Sequence, residues 1–497
     1  MVKYLTTILI FCTCSLSAQK RGNIWCFGHY AAVNFNGSAP VPDTSAVISR
    51  GSCASICDTS GNLQFYVSGD TVALYVATIR GGKVYNKTHH LMQGGDSLIT
   101  RAWYQEEIII PFPDDSNKYY VFTAGVTSIY GLYYSVIDLS LNSGLGAVIQ
   151  KNTQVMPNPA NDGLTAVKHG NGRDWWLIHR EANGINNTFN KILISPTGIS
   201  GPFIQNIGTN TTSNLCKYVF NKTGNKLAMV SYDCLVEMFD FDRCTGLLSN
   251  HNLIKNYSMP YGFWSCAFSP DDRFLYVSAM GNPTSYLMQI DLQDSAPWAN
   301  ADTIFSDSTY AYSFGALKLA PDNKIYFSCA WYDGINFNYP YPDTVYNNVI
   351  NNLSVINTPD SLGTACNFTP YSFYLGGART YVGLPNNPDY DLPRLQGSLC
   401  DTIQWAAVLT IEPPKGEMYV SYINDWQKAF INVQHLKGTT YTLSVIDMTG
   451  RQIFKEKGRL RPPYFTKDLD CNGFSKGMYI VTLTTNKEQV TQKFIKN

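Results

Sequence analysis

One pattern recurs along most of the chain: a turn rich in Asp, Asn, Gly or Pro, followed by an apolar, aromatic strand that ends in a small hydroxyl residue or His. The copies are "DTSGNLQFYVS" (58–68), "DDSNKYYVFT" (114–123), "HGNGRDWWLIH" (169–179), "NKTGNKLAMVS" (221–231), "SPDDRFLYVS" (269–278) and "APDNKIYFS" (320–328). Their strand cores start 56, 56, 52, 47 and 51 residues apart. A period near fifty with several short strands per copy is the signature of a β-propeller.

Further strands fall where the blades of a propeller need them. In the third copy, "LTAVKH" is predicted to be the innermost strand, "DWWLIHR" the second, "NKILIS" the third and "FIQNIG" the outer one. The segment "SFYLGGARTYVGLP" (372–385) is expected to supply a last unit, and "NIWCFGHYAAVNFN" (23–36) to close the ring by pairing with it. We therefore predict an all-β fold with a propeller over residues 19–395, with seven blades favoured and six or eight as the alternatives.

Composition supports this fold and narrows the function classes. Tyr, Phe and Trp are abundant, and Gly, Pro, Asn, Asp and Ser interrupt the chain at short intervals, as in all-β proteins. The 37 basic and 37 acidic residues balance to a formal net charge of zero. The chain therefore has no basic footprint for nucleic acid and no polybasic segment for an anionic membrane.

The first residues have the organisation of a secretory signal peptide. A lysine at position 3 precedes a largely apolar run over 4–14, and small residues follow it. Cleavage is expected between Ala18 and Gln19, so that residues 1–18 are removed, although cleavage after Ser17 also fits the small-residue rule. The apolar run is too short to span a bilayer comfortably, and no transmembrane segment is expected in the mature chain.

Eleven cysteines remain after removal of this segment, which is an odd number. In an oxidising compartment some should pair, but no paired CxxC spacing indicates a connectivity. At least one thiol is expected to stay free or to pair between chains.

The third copy contains two features that could mark a site, namely Trp175 with Trp176, and His169 with His179. The tryptophans align with Tyr119 and Tyr120 of another copy, so we interpret them as strand residues that face opposite sides of one sheet. The two histidines are candidate metal ligands, and we expect them to lie close enough to share a hydrogen-bond network with the Asp at position 174. A zinc site needs a third ligand that the local sequence lacks, so buried, hydrogen-bonded histidines are favoured.

Catalytic motifs are absent from the sequence. There is no HExxH and no calcium loop, and "GFSKG" around Ser475 leads into a strand rather than the helix that a nucleophile elbow requires. Glu106 and Glu107 are adjacent, so on a strand they should point to opposite faces. No catalytic residue and no cofactor is predicted, and a binding module is favoured over the alternative, a hydrolase or metal-dependent lyase with a site at the channel mouth built from histidines such as His29, His89 and His90.

The last ninety residues follow a different pattern. Alternating strands in "YTLSVIDM", "GMYIVTLTT" and "VTQKFIKN" predict a small antiparallel β-sandwich over 410–497, after a linker over 396–409. The segments "MTGRQIF" and "GFSKGMYIVTL" and the basic end "QKFIKN" closely resemble the type A C-terminal sorting domain of the type IX secretion system of Bacteroidetes. The resemblance implies a partnership with that secretion machinery and delivery to the medium or the outer surface.

The body of the chain also resembles a family. The elements "NIWCFGHYAAVNFN", "HGNGRDWWLIHR" and "ARTYVGLP" are similar to those of large secreted propellers of gliding-type Bacteroidetes. This resemblance implies export, and no reaction. Together the observations predict an exported, non-enzymatic propeller that binds a surface ligand, either a glycan or a protein.

Overall fold

The structure is a computed structural model of the full chain. It describes residues 20–69, 81–100, 104–125, 131–157, 160–182, 184–213, 215–256, 261–309, 313–331, 341–402, 416–460 and 462–496. The expected signal peptide and its cleavage point between Ala18 and Gln19 lie outside the described residues. Nearly all regular structure in the described part of the chain is β-strand, with short 3-10 turns at Asn142–Gly144 and Gly363–Cys366.

Among the described residues, seven antiparallel sheets precede residue 375. Two have three strands and five have four, with consecutive strands paired in each. Their bounds are β1 Ile24–Phe27, β2 His29–Asn34, β3 Val41–Ile48; β4 Cys53–Cys57, β5 Leu63–Gly69, β6 Gly82–Asn86; β7 Glu107–Pro111, β8 Lys118–Gly125, β9 Gly131–Asp138, β10 Ala147–Met156; β11 Ala160–Lys168, β12 Trp175–Glu181, β13 Asn186–Ser195, β14 Gly198–Thr211; β15 Cys216–Phe220, β16 Lys226–Ser231, β17 Leu235–Phe241, β18 Leu248–Lys255; β19 Tyr261–Phe268, β20 Phe274–Gly281, β21 Ser285–Asp291, β22 Asp302–Asp307; β23 Phe314–Leu319, β24 Ile325–Cys329, β25 Asn352–Ile356 and β26 Phe368–Tyr374.

The fifty-residue repeat corresponds to one sheet per copy. Each of the six aligned strand cores is the second strand of its sheet, from β5 to β24. The first strands β4, β7, β11, β15, β19 and β23 contact one another in succession, and β1 contacts β4. Apolar side chains of β1 and β2 pack against β23 to β25 and join the last sheet to the first. The sheets therefore form a closed seven-bladed β-propeller, as predicted.

The closure differs in detail from the prediction. Residues 23–36 do not complete the last unit. They form β1 and β2, which pair with β3 as a separate sheet. The segment 372–385 is not a separate unit either, since its first residues end β26 in the sheet that contains Ile325. The beginning and the end of the propeller still meet, as expected, at an antiparallel bridge between His29 and Arg379.

After β26 the chain turns into the centre of the ring. The backbone N–H of Ala316 on β23 donates to the carbonyl of Val382, and that of Asn386 donates to the carbonyl of Cys53 on β4. The segment 379–387 therefore lies between the first strands of two sheets. The sequence-based scheme did not place this segment in the channel, because a segment without regular pairing leaves no periodic signal.

Beyond the channel the segment is tied to the fourth and fifth blades. Arg243 donates to the carbonyl of Pro393, the backbone N–H of Leu395 donates to that of Gly170, and Cys400 forms a disulfide with Cys244. Eight of the other described cysteines have free thiols and are buried, namely Cys26, Cys53, Cys57, Cys216, Cys266, Cys329, Cys366 and Cys471. The expectation of at least one free thiol is thus confirmed.

The tandem tryptophans are core residues. Trp175 packs with residues of the second and third blades, whereas Trp176 packs with Leu227 and Phe241 of the fifth. Both are at most 5% exposed. Alternation along β12 therefore sends one ring to each side of the sheet, as the sequence pattern predicted.

The tail is a two-sheet β-sandwich. One sheet has the order β27 (Glu417–Ile423), β28 (Lys428–Gln434), β31 (Phe465–Asp470). The other has the order β30 (Gln452–Arg459), β29 (Thr440–Asp447), β32 (Gly477–Thr485), β33 (Gln489–Lys496). Their inner faces share one apolar core, so the tail has a core separate from the propeller. Within the described ranges, no helix has the length and apolarity to cross a membrane.

Candidate functional site

The first strands of the blades surround a central channel that a pair of amide side chains divides. Asn386 Nδ2 donates to the carbonyls of Glu107 (2.9 Å) and Leu164 (2.8 Å), and its Oδ1 accepts from Gln105 Nε2 at 2.9 Å. Gln105 in turn pairs with both backbone groups of Tyr218, at 2.9 Å each. These bonds connect the third, fourth and fifth blades. The amide pair separates the end where the first strands begin from the end where they finish.

The end where the first strands finish holds a cavity of about 770 Å³. Its floor includes Gln105 and Asn386, and its walls come from β11, β15, β19, β23 and the segment 385–392. Trp25, Phe35, Phe220 and Phe268 add aromatic surface. This size suits a small molecule that is mostly enclosed.

Lys217, on β15, lines this cavity and is only 7% exposed. Its ammonium makes no hydrogen bond and no ion pair within the described part of the chain. Burial lowers the pKa of Lys217 to about 8. An amine that lines a cavity without a protein acceptor can be solvated only by what fills the cavity.

Lys318, on β23, lines the same cavity. Its Nζ donates to the carbonyl of Asn387 at 3.1 Å and lies 5.5 Å from the ring centroid of Trp25. Burial, and then the charge of Lys217, lower the pKa of Lys318 to about 7. The wall of the cavity therefore carries two amines that disfavour each other's charge.

The carboxylates near the cavity lie toward its mouth and have other partners. Asp391 is paired with Arg21 at 2.8 Å, and Asp322 accepts from the Tyr326 hydroxyl at 2.8 Å. Asp389 is the third, and burial raises its pKa. None of the three forms an ion pair with either cavity lysine in the described structure.

Two thiols lie near these lysines. Burial raises the pKa of Cys266 to about 12, and it raises that of Cys53 further above its ordinary value. Because the thiolate is the nucleophilic form of cysteine, both thiols are inert at neutral pH. The reactive groups of the cavity are its amines.

The opposite end of the channel holds buried carboxyl groups. The Thr100 hydroxyl lies 3.0 Å from Glu106 Oε2 and 2.7 Å from Glu107 Oε1. The expectation that these two glutamates point apart is therefore wrong, because Glu106 precedes β7 and strand alternation does not apply to it. One hydroxyl proton cannot serve two carboxylates, so one carboxyl group must itself donate.

Glu107 lies in surroundings that favour the protonated form of its carboxyl group. Burial raises the pKa of Glu107 to about 8, and the nearby Glu106 adds to the shift. Asp162 is equally buried, and burial followed by the charge of Glu106 raises its pKa well above the ordinary value. None of these carboxyls lines the cavity, which favours a role in holding the blades together.

The Glu107→Gln variant is expected to be more stable than the wild type at pH 8.5, by on the order of 3 kcal/mol, and nearly equal to it at pH 4.5. The unfolded glutamate loses its proton near 4.5 and the folded one near 8, so the wild type loses stability as the pH rises between these values. Urea unfolding at both pH values measures the difference, with the exposed Glu417→Gln as control. An equal difference at both pH values would contradict a protonated Glu107.

The two candidate metal ligands are separated. His169 follows β11, its Nδ1 accepts from the Asn171 backbone N–H at 3.1 Å, and its Nε2 faces the Cys244 carbonyl at 2.9 Å. His179 pairs with Leu164 at the other end of the β11–β12 ladder. His169 shares a hydrogen-bond network with Asp174, since its backbone N–H donates to the Asp174 carbonyl at 2.8 Å and Asn171 contacts both residues, but His179 is not part of it.

His179 is fully buried beside the Met156 sulfur, and burial lowers its pKa to about 4. His29 contacts Arg379 and His89 contacts Tyr66, so neither approaches the others. The described ranges contain no group of three His, Cys, Asp or Glu side chains arranged to hold a metal ion. The structural role of His169 and His179 stays a prediction.

Sequence reasoning did not single out Lys217, Lys318, Gln105 or Asn386. A signal for the lysines exists, since each interrupts a short apolar first strand, in "CKYVF" and "FGALKL". The amides carry no comparable signal. Their importance depends on contacts between residues 281 positions apart.

The solved structures of similar shape include propeller proteins, and all those described here share little sequence identity with this chain. The periplasmic gluconolactonase of Pseudomonas aeruginosa is 11% identical over 73% of this chain and 98% of its own, with a TM-score of 0.45. A Lactobacillus plantarum protein is 13% identical over 74% and 99%, with a TM-score of 0.44. The Cps50 β-propeller domain of Myceliophteria thermophila is 10% identical over 62% and 93%, with a TM-score of 0.36. At such values no activity is transferred, and the propeller assignment follows from the seven sheets themselves.

No curated protein matches the chain in sequence. Residues 427–497, which include β28 to β33, match the family described as "Secretion system C-terminal sorting domain". This match confirms the type IX sorting domain that the sequence resembles, and it implies interaction with the secretion machinery. The protein is therefore an exported β-propeller, secreted or attached to the outer surface, that carries a secretion system C-terminal sorting domain.

Proposed function

We propose that this exported propeller is a non-enzymatic binding module that takes an anionic small molecule into the cavity of its central channel. The observation that carries the proposal is Lys217, a buried lysine without a protein partner on the wall of that cavity. Natural proteins rarely bury a lysine unless it is paired. An anion in the cavity would provide the missing partner.

The interior of the cavity favours this class of ligand. The two lysines sit on its walls, whereas Asp391 and Asp322 already have partners. The partly exposed Phe220 offers an apolar face on which a flat ring or the face of a sugar can pack. The matching chemistry is a phosphate or carboxylate group on a small, compact body, such as a sugar phosphate or a sugar acid.

The Lys217→Met variant separates ligand binding from folding. We expect it to bind inorganic phosphate or glucuronate at least about tenfold more weakly, the equivalent of losing one charge-assisted hydrogen bond. It should also be about 1–3 kcal/mol more stable than the wild type at pH 7, because it removes an unsatisfied buried amine. Calorimetric titration and urea unfolding measure the two effects.

Lys222→Met is the matched control. Lys222 lies at the rim, where its Nζ donates to Asn323, and its loss should change neither quantity appreciably. Glucose, which has the size of glucuronate without the charge, should bind neither protein measurably. The proposal would be refuted if neither phosphate nor glucuronate bound the wild type, or if Lys217→Met bound them as well as the wild type does.

The domain boundaries remain a proposal: a propeller over 19–395, a linker over 396–409 and the sorting domain over 410–497. The separate cores of propeller and tail support the division. The disulfide of Cys400 links the start of the proposed linker to the propeller.

A further inference from the structure

We propose that Lys318 captures its ligand covalently, by forming an imine with an aldehyde or ketone carbon while Lys217 holds the ligand's anionic group. This inference rests on the proposed anion-binding function and deepens it by naming the ligand class, an anionic carbonyl compound. Two amines on one enclosed wall provide the geometry.

The position of Lys318 suits a nucleophile. Its Nζ is held by a single neutral acceptor, the Asn387 carbonyl, and packs near the Trp25 ring. No carboxylate within the described residues pairs with it to keep it charged. An amine held by one weak bond can lose its proton and present its lone pair to the cavity.

Electrostatic interactions favour different roles for the two lysines, with Lys318 as the nucleophile and Lys217 as the anion binder. The charged groups that act on Lys318 are Lys217, which disfavours its charge, and Asp389, which favours it, while the nearby Cys53 thiol is protonated and neutral. Burial and Lys217 dominate, so the pKa of Lys318 lies near 7 and that of Lys217 near 8. Because Lys217 and burial together act on Lys318, Lys318 is the amine that more readily becomes neutral, and Lys217 is the one that more readily stays charged.

The chemical step is a condensation. The Lys318 nitrogen adds to the carbonyl carbon, and the carbonyl oxygen takes up a proton to give a carbinolamine. Loss of water then forms the C=N bond, so that amine and carbonyl compound yield imine and water with no change of oxidation state. The thiols of Cys53 and Cys266 do not compete, since both stay protonated.

Pyridoxal phosphate, an anionic aldehyde, tests the inference in the full-length protein. Pyridoxal is the matched probe, because it is the same aldehyde without the phosphate. After brief treatment with either probe and sodium cyanoborohydride at pH 7.5, peptide mapping by mass spectrometry locates the reduced adducts. We expect pyridoxal phosphate to label Lys318 at least tenfold faster than the exposed Lys222, and pyridoxal to lose most of this preference. Lys217→Met should remove the advantage of the phosphate.

Outcomes separate this inference from the proposed function. If the wild type binds inorganic phosphate but labels Lys318 no faster than Lys222, imine formation is wrong and anion binding stands. If the wild type binds no phosphate, the proposed function itself fails. The Lys318→Met variant should still unfold cooperatively and should give no adduct on the peptide that contains position 318. Labelling of Lys217 in this variant would overturn the roles assigned to the two lysines. Labelling should also fall as the pH drops from 7.5 to 6, because Lys318 regains its proton.

Discussion

A chain that ends after Thr402 is expected to fold as a propeller and to stay within the cell envelope, whereas the full-length protein reaches the medium or the outer surface. The sorting domain supplies the export signal, and its apolar core is separate from that of the propeller. Immunodetection on intact cells and in periplasmic extracts measures delivery, and thermal unfolding of the purified chain measures folding. Equal surface delivery of the two chains would contradict a sorting role for the tail.

The position of the cut matters. A chain that ends after Pro393 would lose Cys400 and the backbone bond from Leu395 to Gly170. Losing the disulfide alone should cost about 2–4 kcal/mol. We therefore expect the chain ending at Thr402 to unfold at a clearly higher temperature than the one ending at Pro393, with neither delivered to the surface. Equal melting temperatures would show that the disulfide does not stabilise the propeller.

The Asn386→Leu variant is expected to lose about 3–5 kcal/mol of stability. Leucine has a similar volume, but it leaves Gln105 Nε2 with one partner fewer and the carbonyls of Glu107 and Leu164 without their side-chain donor. Each lost buried hydrogen bond costs about 1–2 kcal/mol. Equilibrium unfolding in urea gives the value.

A double-mutant cycle with Gln105→Leu tests whether the two amides act as a unit. Since each is the other's partner, the double variant should be more stable than the sum of the single losses predicts, by at least about 1 kcal/mol. Purely additive effects would show that the amide pair does not connect the blades. Asn387→Leu is a useful comparison, because in the described part of the chain its side chain forms hydrogen bonds with Ser55 alone.

The second strands of the blades show which parts of the fold can be predicted from the sequence. Leu63, Trp175 and Phe274 begin cores that recur near every fifty residues, because each blade buries one such strand between two neighbours. Periodicity of this kind is local, and so it also predicted the strands of the third copy and the sandwich of the tail. The burial of both tryptophans follows from the same alternation.

The channel could not be predicted in this way. Glu106 and Glu107 share a hydroxyl because Glu106 lies outside the strand, which an adjacency rule cannot detect. His169 and His179 stand ten positions apart in sequence, but the β11–β12 hairpin places them at opposite ends. In each case the relative position of the two side chains depends on where a strand begins or on how it pairs.

The repeat, the all-β class, the separate tail and its sorting role are predictable from the sequence, since these depend on patterns within one blade or one domain. The entry of the segment after the last blade into the channel, the division of the channel by Asn386 and Gln105, and the position of Lys217 and Lys318 on one cavity depend on the tertiary fold. A propeller brings one first strand from every blade to a common axis. Residues a hundred positions apart thereby become neighbours, and no local periodicity records which of them will meet there.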